Sequence, residues 1–306
     1  MFPDRRTALG WAVGAVLAGG CQDKRQPKTV ASQNVPKVLA SFSILADVAQ
    51  TLAGPYVEVK SLIGVGQELH HFDPKPSDLE DLSNYSLIIQ AGFGLEGWLD
   101  RLPQSTGFKG PTIQVSPGID PIGEAVGMRD PHTWHSFENL NHYALVITTT
   151  YQRLWPHLQD EFAERLLAYQ ADIERARLKA STLLVPITQI PHLILVPHNS
   201  YAYLAREFGL TIMGITTLHH GTQTSAGELA RLIQKVKASP MAACFVDTHA
   251  DARIMAQIAR ESGARLGGRL YSDTLSPPSG PASTALRLLS ANVEALARAL
   301  KAPDQK

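Results

Sequence analysis

Short apolar runs alternate with helical patterns along most of this chain, and that alternation limits the possible folds more than any other feature. The runs are residues 38–42, 57–63, 87–91 and 112–115 in the first half and residues 193–196, 211–213, 244–246 and 265–266 in the second. Strands separated by helical patterns predict βα units and parallel sheets. We therefore predict an α/β protein with two Rossmann-like lobes, each a mostly parallel sheet flanked by helices.

A long amphipathic pattern separates the two halves. Apolar residues recur at steps of three and four between Phe162 and Ile187, as expected for one apolar stripe on a helix. The pattern predicts a single helix over residues 159–188, roughly 40 Å long. Such a helix would rigidly join an N-terminal lobe, residues 36–158, to a C-terminal lobe, residues 189–306, and restrict them to small relative motions.

The N-terminal residues indicate the cellular compartment. Two arginines precede an apolar run, residues 11–20, which is too short to span a bilayer and ends at Cys21. This order is typical of an export signal, and because it resembles a bacterial lipoprotein signal, Cys21 is the expected site of lipid attachment. We predict a signal over residues 1–21, a flexible tether over residues 22–35, and a lipid-anchored protein in the periplasm or at the outer face of the cytoplasmic membrane. The general and twin-arginine export routes both stay open.

Composition narrows the range of partners. With 28 basic and 28 acidic side chains the chain carries no formal net charge at pH 7, so nucleic acid is not an expected partner. Phosphate-loop, nucleophile-elbow and local zinc-protease motifs are also absent from the sequence. No internal disulfide is expected, since Cys21 is predicted to carry a lipid and Cys244, within an apolar run, is expected to be a small buried hydrophobe.

Histidine is the residue type that offers chemistry. Of the 11 histidines, His70, His132 and His198 lie where a predicted strand gives way to a loop, and so does Asp273. Ligands of open α/β sheets bind outside the carboxyl ends of the strands, and three imidazoles with one carboxylate suit a tetrahedral divalent cation. These residues are far apart in the sequence and form no local motif. A solvated loop position is therefore the alternative for each of them.

Six ordered motifs give the chain a specific resemblance to a known family. They are residues 40–47 (ASFSILAD), 66–78 (GQELHHFDPKPSD), 94–99 (GLEGWL), 130–134 (DPHTW), 197–203 (PHNSYAY) and 271–275 (YSDTL). The chain resembles the solute-binding proteins of bacterial zinc and manganese ABC importers, the group of zinc-uptake binding proteins and metal-binding lipoproteins. The resemblance implies that the four metal ligands are His70, His132, His198 and Asp273, two from each lobe.

The same resemblance implies a function. An extracytoplasmic substrate-binding protein of this kind captures Zn²⁺ in the cleft between its lobes and delivers it to a membrane permease. The implied partners are the ABC permease and its ATPase, with a metallochaperone as a further candidate. We expect a monomer that is not an enzyme and that meets the membrane only through its lipid anchor.

Metal identity follows from the ligand types. Three nitrogens and one oxygen favour zinc, whereas manganese prefers more oxygen donors; Mn²⁺ or Fe²⁺ is the alternative cargo. A zinc hydrolase is a rival, but it would need Asp273 to leave the fourth position to water. An adhesin is another rival, for which metal binding would be incidental.

For other residues near these motifs, the predictions are less specific. His71 is expected to point away from the site. Glu68, near the first ligand, is a candidate either to accept a hydrogen bond behind that ligand or to occupy an open position on the metal. His219 and His220, on a polar loop, form either a secondary metal-entry site or a solvated pair. Trp134 is expected to pack in the cleft wall of the first lobe. We predict surface or helix positions for the remaining histidines, which are His135, His142, His157, His192 and His249.

Overall fold

A computed structural model describes residues 35–99, 107–123, 129–216, 225–248 and 252–301. The predicted signal and most of the predicted tether, including Cys21, lie outside these ranges, as do His219, His220 and His249. No helix within these ranges is long and apolar enough to cross a bilayer.

The first sheet has four parallel strands in the order β2-β1-β3-β4. The strands are β1 (Lys37–Phe42), β2 (Glu58–Ile63), β3 (Leu87–Gln90) and β4 (Thr112–Gln114), and the α-helices among the described residues of this half are α1 (Ser43–Ala53), α2 (Pro76–Leu79) and α3 (Phe137–Leu154). Residues 38–42 of β1 are all buried. A near-continuous buried run is expected for a central parallel strand that is covered on both faces.

One helix of 30 residues, α4 (Gln159–Thr188), follows the strands of the first sheet in the sequence and precedes those of the second. Its buried side chains include Tyr169 and Ile173, which belong to the same continuous hydrophobic core as Ile89 of β3 and Ile194 further along the chain. The helix therefore shares its apolar stripe with both halves of the molecule.

The second sheet repeats the pattern in the order β6-β5-β7-β8, again with parallel pairing. Its strands are β5 (Leu193–His198), β6 (Ile212–Thr216), β7 (Ala242–Val246) and β8 (Arg265–Arg269), and its helices are α5 (Ala202–Phe208), α6 (Ala226–Lys237), α7 (Ala252–Ser262) and α8 (Ala285–Leu300). The predicted fold class, two parallel α/β lobes joined by a long helix, is confirmed.

Two carboxylates, one from each half, accept a hydrogen bond from the first residue of a helix in the other half. The backbone N–H groups at the start of a helix lack partners within that helix. Asp47 of α1 accepts a 2.7 Å hydrogen bond from the N–H of Ala285, the first residue of α8. In the opposite direction, Glu207 of α5 accepts a 2.9 Å hydrogen bond from the N–H of Phe137, the first residue of α3. Each half thus caps a helix of the other.

We expect Asp47 to make stability depend on pH. Burial raises the pKa of its carboxyl to about 6, although the hydrogen bond from Ala285 opposes the shift. The neutral form is therefore favoured by folding, and the stability it contributes is present at about pH 4 and lost as pH rises through 6. Asp47→Asn keeps an acceptor and removes the charge. The variant should be more stable than the wild type at pH 8, by on the order of 2 kcal/mol, and equally stable near pH 4.

Thermal unfolding of chelator-treated protein at several pH values measures this difference. Asp172→Asn is the matched control, because Asp172 is exposed on α4. A variant at Asp47 that is less stable than the wild type at pH 8 would show that its charged form is the stabilising one.

Candidate metal centre

Parallel strand direction brings the four predicted ligands to one place. His198 is the last residue of β5, and His70, His132 and Asp273 lie in the loops that follow β2, β4 and β8. The carboxyl ends of parallel strands meet at one edge of a sheet, and the two edges face each other. Each of these residues offers one ligand atom, and the four atoms lie within 4.8 Å of one another, the one such group found among the residues that the structure describes.

The distances between the donors match those of a tetrahedral site. The Nε2 atom of His132 lies 3.1 Å from Nε2 of His70 and 3.3 Å from Nε2 of His198. The Oδ2 atom of Asp273 lies 3.5 Å from Nε2 of His70 and 3.7 Å from Nε2 of His198. Four donors at about 2.0–2.1 Å from a zinc ion are separated by about 3.3 Å when the arrangement is tetrahedral. One cation therefore fits between them without large movement.

Because two of its donors are buried, the site is energetically unfavourable when no cation is bound. His132 is fully buried, and the Asp273 side chain is only 8% exposed. The Oδ1 atom of Asp273 is buried and has no hydrogen-bond partner among the described residues. A buried carboxylate oxygen without a partner is strongly unfavourable, and a bound cation removes that cost. The side chains of His70 and His198 are 25% and 22% exposed, so the site opens to solvent on their side.

The loop that carries His132 is held by its own sequence. The carboxylate of Asp130 accepts hydrogen bonds from the backbone N–H of His132 at 2.9 Å and from its Nδ1 at 2.8 Å. Asn139, in the first turn of α3, donates to the carbonyl of Thr133, and Ser136 caps the helix by accepting from the Asn139 N–H. These contacts leave Nε2 of His132 as the atom that faces the other donors.

Two buried carboxylates lie next to the Nδ1 atoms of two of the predicted histidine ligands. Asp130 contacts Nδ1 of His132, and Oδ2 of Asp247 lies 3.5 Å from Nδ1 of His198. Metal-binding histidines commonly give the second ring N–H to such a carboxylate, which fixes the tautomer and raises the basicity of the ligating nitrogen. The sequence prediction included Asp130 only as part of a motif and did not include Asp247. Its position directly after β7 was the available signal.

The pKa values of the site reflect its burial and its close charges. Burial raises the pKa of the Asp273 carboxyl, but the three imidazoles outweigh burial and hold that pKa well below its usual range. Burial also lowers the pKa of His132 below its ordinary value, despite the opposing effect of Asp130. For His198, burial acts in the same downward direction, yet Asp247 and Asp273 raise its pKa overall. Asp273 is therefore ionised and His132 neutral at pH 7, which are the forms that bind metal.

Two side chains of the first half reach across to the second, next to Asp273. Trp134 Nε1 and His135 Nε2 donate to the carbonyl oxygen of Ser272, at 2.8 Å and 2.9 Å. Trp134 also packs on Phe42 with ring centroids 4.9 Å apart. Trp134 thus connects the two halves as well as packing in the first.

The predicted surface or helix position of His135 is wrong. The side chain is fully buried, and its ring packs 4.6 Å from that of Tyr201. Burial, together with the neighbouring His132, lowers the pKa of His135 to about 4. It is a neutral donor that fixes the Ser272 carbonyl.

His192 is also misassigned as a surface residue. It is 8% exposed, at the amino end of β5 and so far from the site. Its Nδ1 donates to the Ile190 carbonyl and its Nε2 accepts from the Thr211 N–H. The ring therefore joins the end of α4 to the second sheet.

The other predicted residues lie away from the donors. His71 is exposed, and its Nδ1 lies 3.3 Å from Glu68. Glu68 accepts from the backbone N–H groups of His70 and His71, so it shapes the loop rather than reaching the cleft. His142 is half-buried and donates to the Pro117 carbonyl, and His157 is exposed.

Proteins named for metal binding are similar in sequence to this chain over most of its length. Manganese-binding lipoprotein MntA of Halalkalibacterium halodurans is 28% identical over 92% of this chain and 93% of its own length. Iron-binding protein YfeA of Yersinia pestis is 26% identical over 86% of this chain and 85% of its own length. The chain is thus similar to proteins named for different metals.

Solved structures agree with the fold. The Mn-bound periplasmic metal binding protein of Candidatus Liberibacter asiaticus superposes with a TM-score of 0.77 at 27% identity, covering 87% of this chain and all of that one. Periplasmic zinc binding protein TroA of Treponema pallidum superposes with a TM-score of 0.79 at 20% identity, which supports the fold alone.

The family comparison decides between a binding protein and an enzyme. The family model described as zinc-uptake complex component A, periplasmic, matches residues 38–299. This match confirms the resemblance that the six motifs indicate, and the periplasmic component of such an uptake complex is a solute-binding protein and not an enzyme. With residues 38–299 matched, the chain belongs to the ZnuA family of periplasmic zinc-uptake components.

Proposed function

We propose that this extracytoplasmic substrate-binding protein of a metal ABC importer captures Zn²⁺ and delivers it to the membrane permease and its ATPase. The ligands would be His70, His132, His198 and Asp273. The observation that carries the proposal is the convergence of these four donors at tetrahedral spacing, together with a buried Oδ1 atom of Asp273 that accepts no hydrogen bond from the described residues. Relatives named as ABC transporter substrate-binding lipoproteins support the importer assignment.

Zinc is favoured by the donor set. Three imidazole nitrogens and one carboxylate oxygen are typical zinc ligands, and zinc binds more tightly than manganese to almost any such site. Manganese or iron is the second candidate, because relatives are named for Mn and Fe and a similar structure holds Mn. In either case Asp273 occupies the position that a catalytic zinc would keep for water.

Metal competition tests the proposal. The purified protein, stripped with a chelator and reloaded, should hold one Zn²⁺ per chain by elemental analysis. In competition with a chromophoric chelator, Zn²⁺ should bind more tightly than Mn²⁺ or Fe²⁺. Tighter binding of manganese would move the assignment to a manganese importer, and the absence of stoichiometric metal would reject the transport function.

Lipid attachment at Cys21 stays a prediction, supported by relatives that are named lipoproteins. Metabolic labelling with a fatty acid should mark the wild type and not Cys21→Ser. Labelling of both would place the anchor elsewhere.

A further inference from the structure

We infer that Asp247 is a positioning residue for His198, and that their contact sets part of the preference for zinc over manganese. The inference rests on the proposed function, because it takes His198 to be a metal ligand.

The fold places the two residues side by side. Asp247 directly follows β7, and His198 ends β5, the strand to which β7 is paired. Their backbones therefore leave the sheet at the same edge. The carboxylate of Asp247 is buried, with Oδ1 accepting from the Thr248 N–H and Oδ2 lying 3.5 Å from Nδ1 of His198. One carboxylate oxygen is thus anchored while the other faces the imidazole.

The ring of His198 is held by fewer contacts and less burial than the ring of His132. The ring of His132 is fully buried, and both its Nδ1 and its backbone N–H bond to Asp130. The ring of His198 is 22% exposed. Its backbone is fixed by β5, but rotation of the side chain and exchange between tautomers are opposed on the Nδ1 side by Asp247. On the other side, Nε2 faces His132 and Asp273.

The contact has a chemical consequence for the cation. When Nδ1–H is donated to the carboxylate, the lone pair of Nε2 is free and more basic, and it points toward the other donors. Zinc gains more than manganese from such an imidazole, because manganese prefers oxygen ligands. The negative charge of Asp247, in contrast, acts equally on any divalent cation. Comparing the losses of Zn²⁺ and Mn²⁺ affinity therefore separates the effect of imidazole orientation from the effect of the Asp247 charge.

Asp247→Ala and Asp247→Asn test the inference. Asp247→Ala should weaken Zn²⁺ binding by about 10–100-fold and Mn²⁺ binding by a smaller factor. Asp247→Asn keeps an oxygen acceptor and should lie between the alanine variant and the wild type. Asp172→Asn, on the exposed face of α4, is the control and should change neither affinity. Equal losses for both metals would leave only a charge effect and overturn the inference.

A measurement on the His198 ring of the wild-type protein tests the inference even if the variants do not fold. Long-range ¹H–¹⁵N spectra of metal-free wild type, at a pH where imidazoles are neutral, should show His198 protonated at Nδ1. Protonation at Nε2 would overturn the inference without any variant. If the wild type binds no metal, or if His198→Ala binds as well as the wild type, the proposed function fails instead.

Discussion

Zinc binding should fall by about a hundredfold or more when His132 is replaced by alanine. Four-ligand zinc sites bind with apparent free energies of about 10–16 kcal/mol, or roughly 3 kcal/mol per donor, and His132 is the one of the three histidines that is fully buried. Its Nε2 is within 3.7 Å of a donor atom of each of the other three residues. The increase in melting temperature that zinc gives to the wild type should shrink accordingly.

Competition titration and zinc-dependent thermal unfolding measure this loss. His157→Ala is the control, since His157 is exposed and away from the cleft. Because His132 is fully buried, His70→Ala is the companion variant, with an expected loss of similar size and less disturbance of packing. Affinity within twofold of the wild type in both variants would mean that the cation binds elsewhere.

Metal preference should shift toward manganese in His198→Glu. The substitution turns a set of three nitrogens and one oxygen into two of each, which suits a cation that prefers oxygen. Asp247 stands behind position 198 and would repel the new carboxylate toward the cleft. We expect the ratio of zinc to manganese affinity to fall by on the order of tenfold, equivalent to about 1.4 kcal/mol.

His198→Gln is the matched control, because it removes the imidazole without adding charge. It should weaken both metals and should not raise manganese affinity. If His198→Glu leaves the ratio unchanged, the third nitrogen does not decide selectivity. The zinc assignment would then lose its main physical support.

The fold was predictable because its signals are local and periodic. The spacing of apolar residues between Phe162 and Ile187 predicted a helix over residues 159–188, and α4 is observed at Gln159–Thr188. The short apolar runs likewise correspond to the eight strands of the two sheets. The parallel direction of the strands follows from the βα repeat, whereas the order of the strands in each sheet is known from the structure alone.

The site was only partly predictable. The four donors could be named from their positions at strand ends and from the family motifs. His135 and His192 were misplaced, because a polar side chain is buried only when partners exist, and the partners Ser272 and Thr211 are remote from them or unmarked in sequence. Asp247 was missed for the same reason, since only the pairing of β5 with β7 reveals its contact with His198.

The most direct test of the four-ligand site is anomalous diffraction at the zinc edge from crystals of the zinc-loaded protein. We expect one peak within about 2.0–2.2 Å of Nε2 of all three histidines and of a carboxylate oxygen of Asp273, the distances of a closed four-ligand site. A peak away from these residues, or water in place of Asp273, would contradict the proposed site.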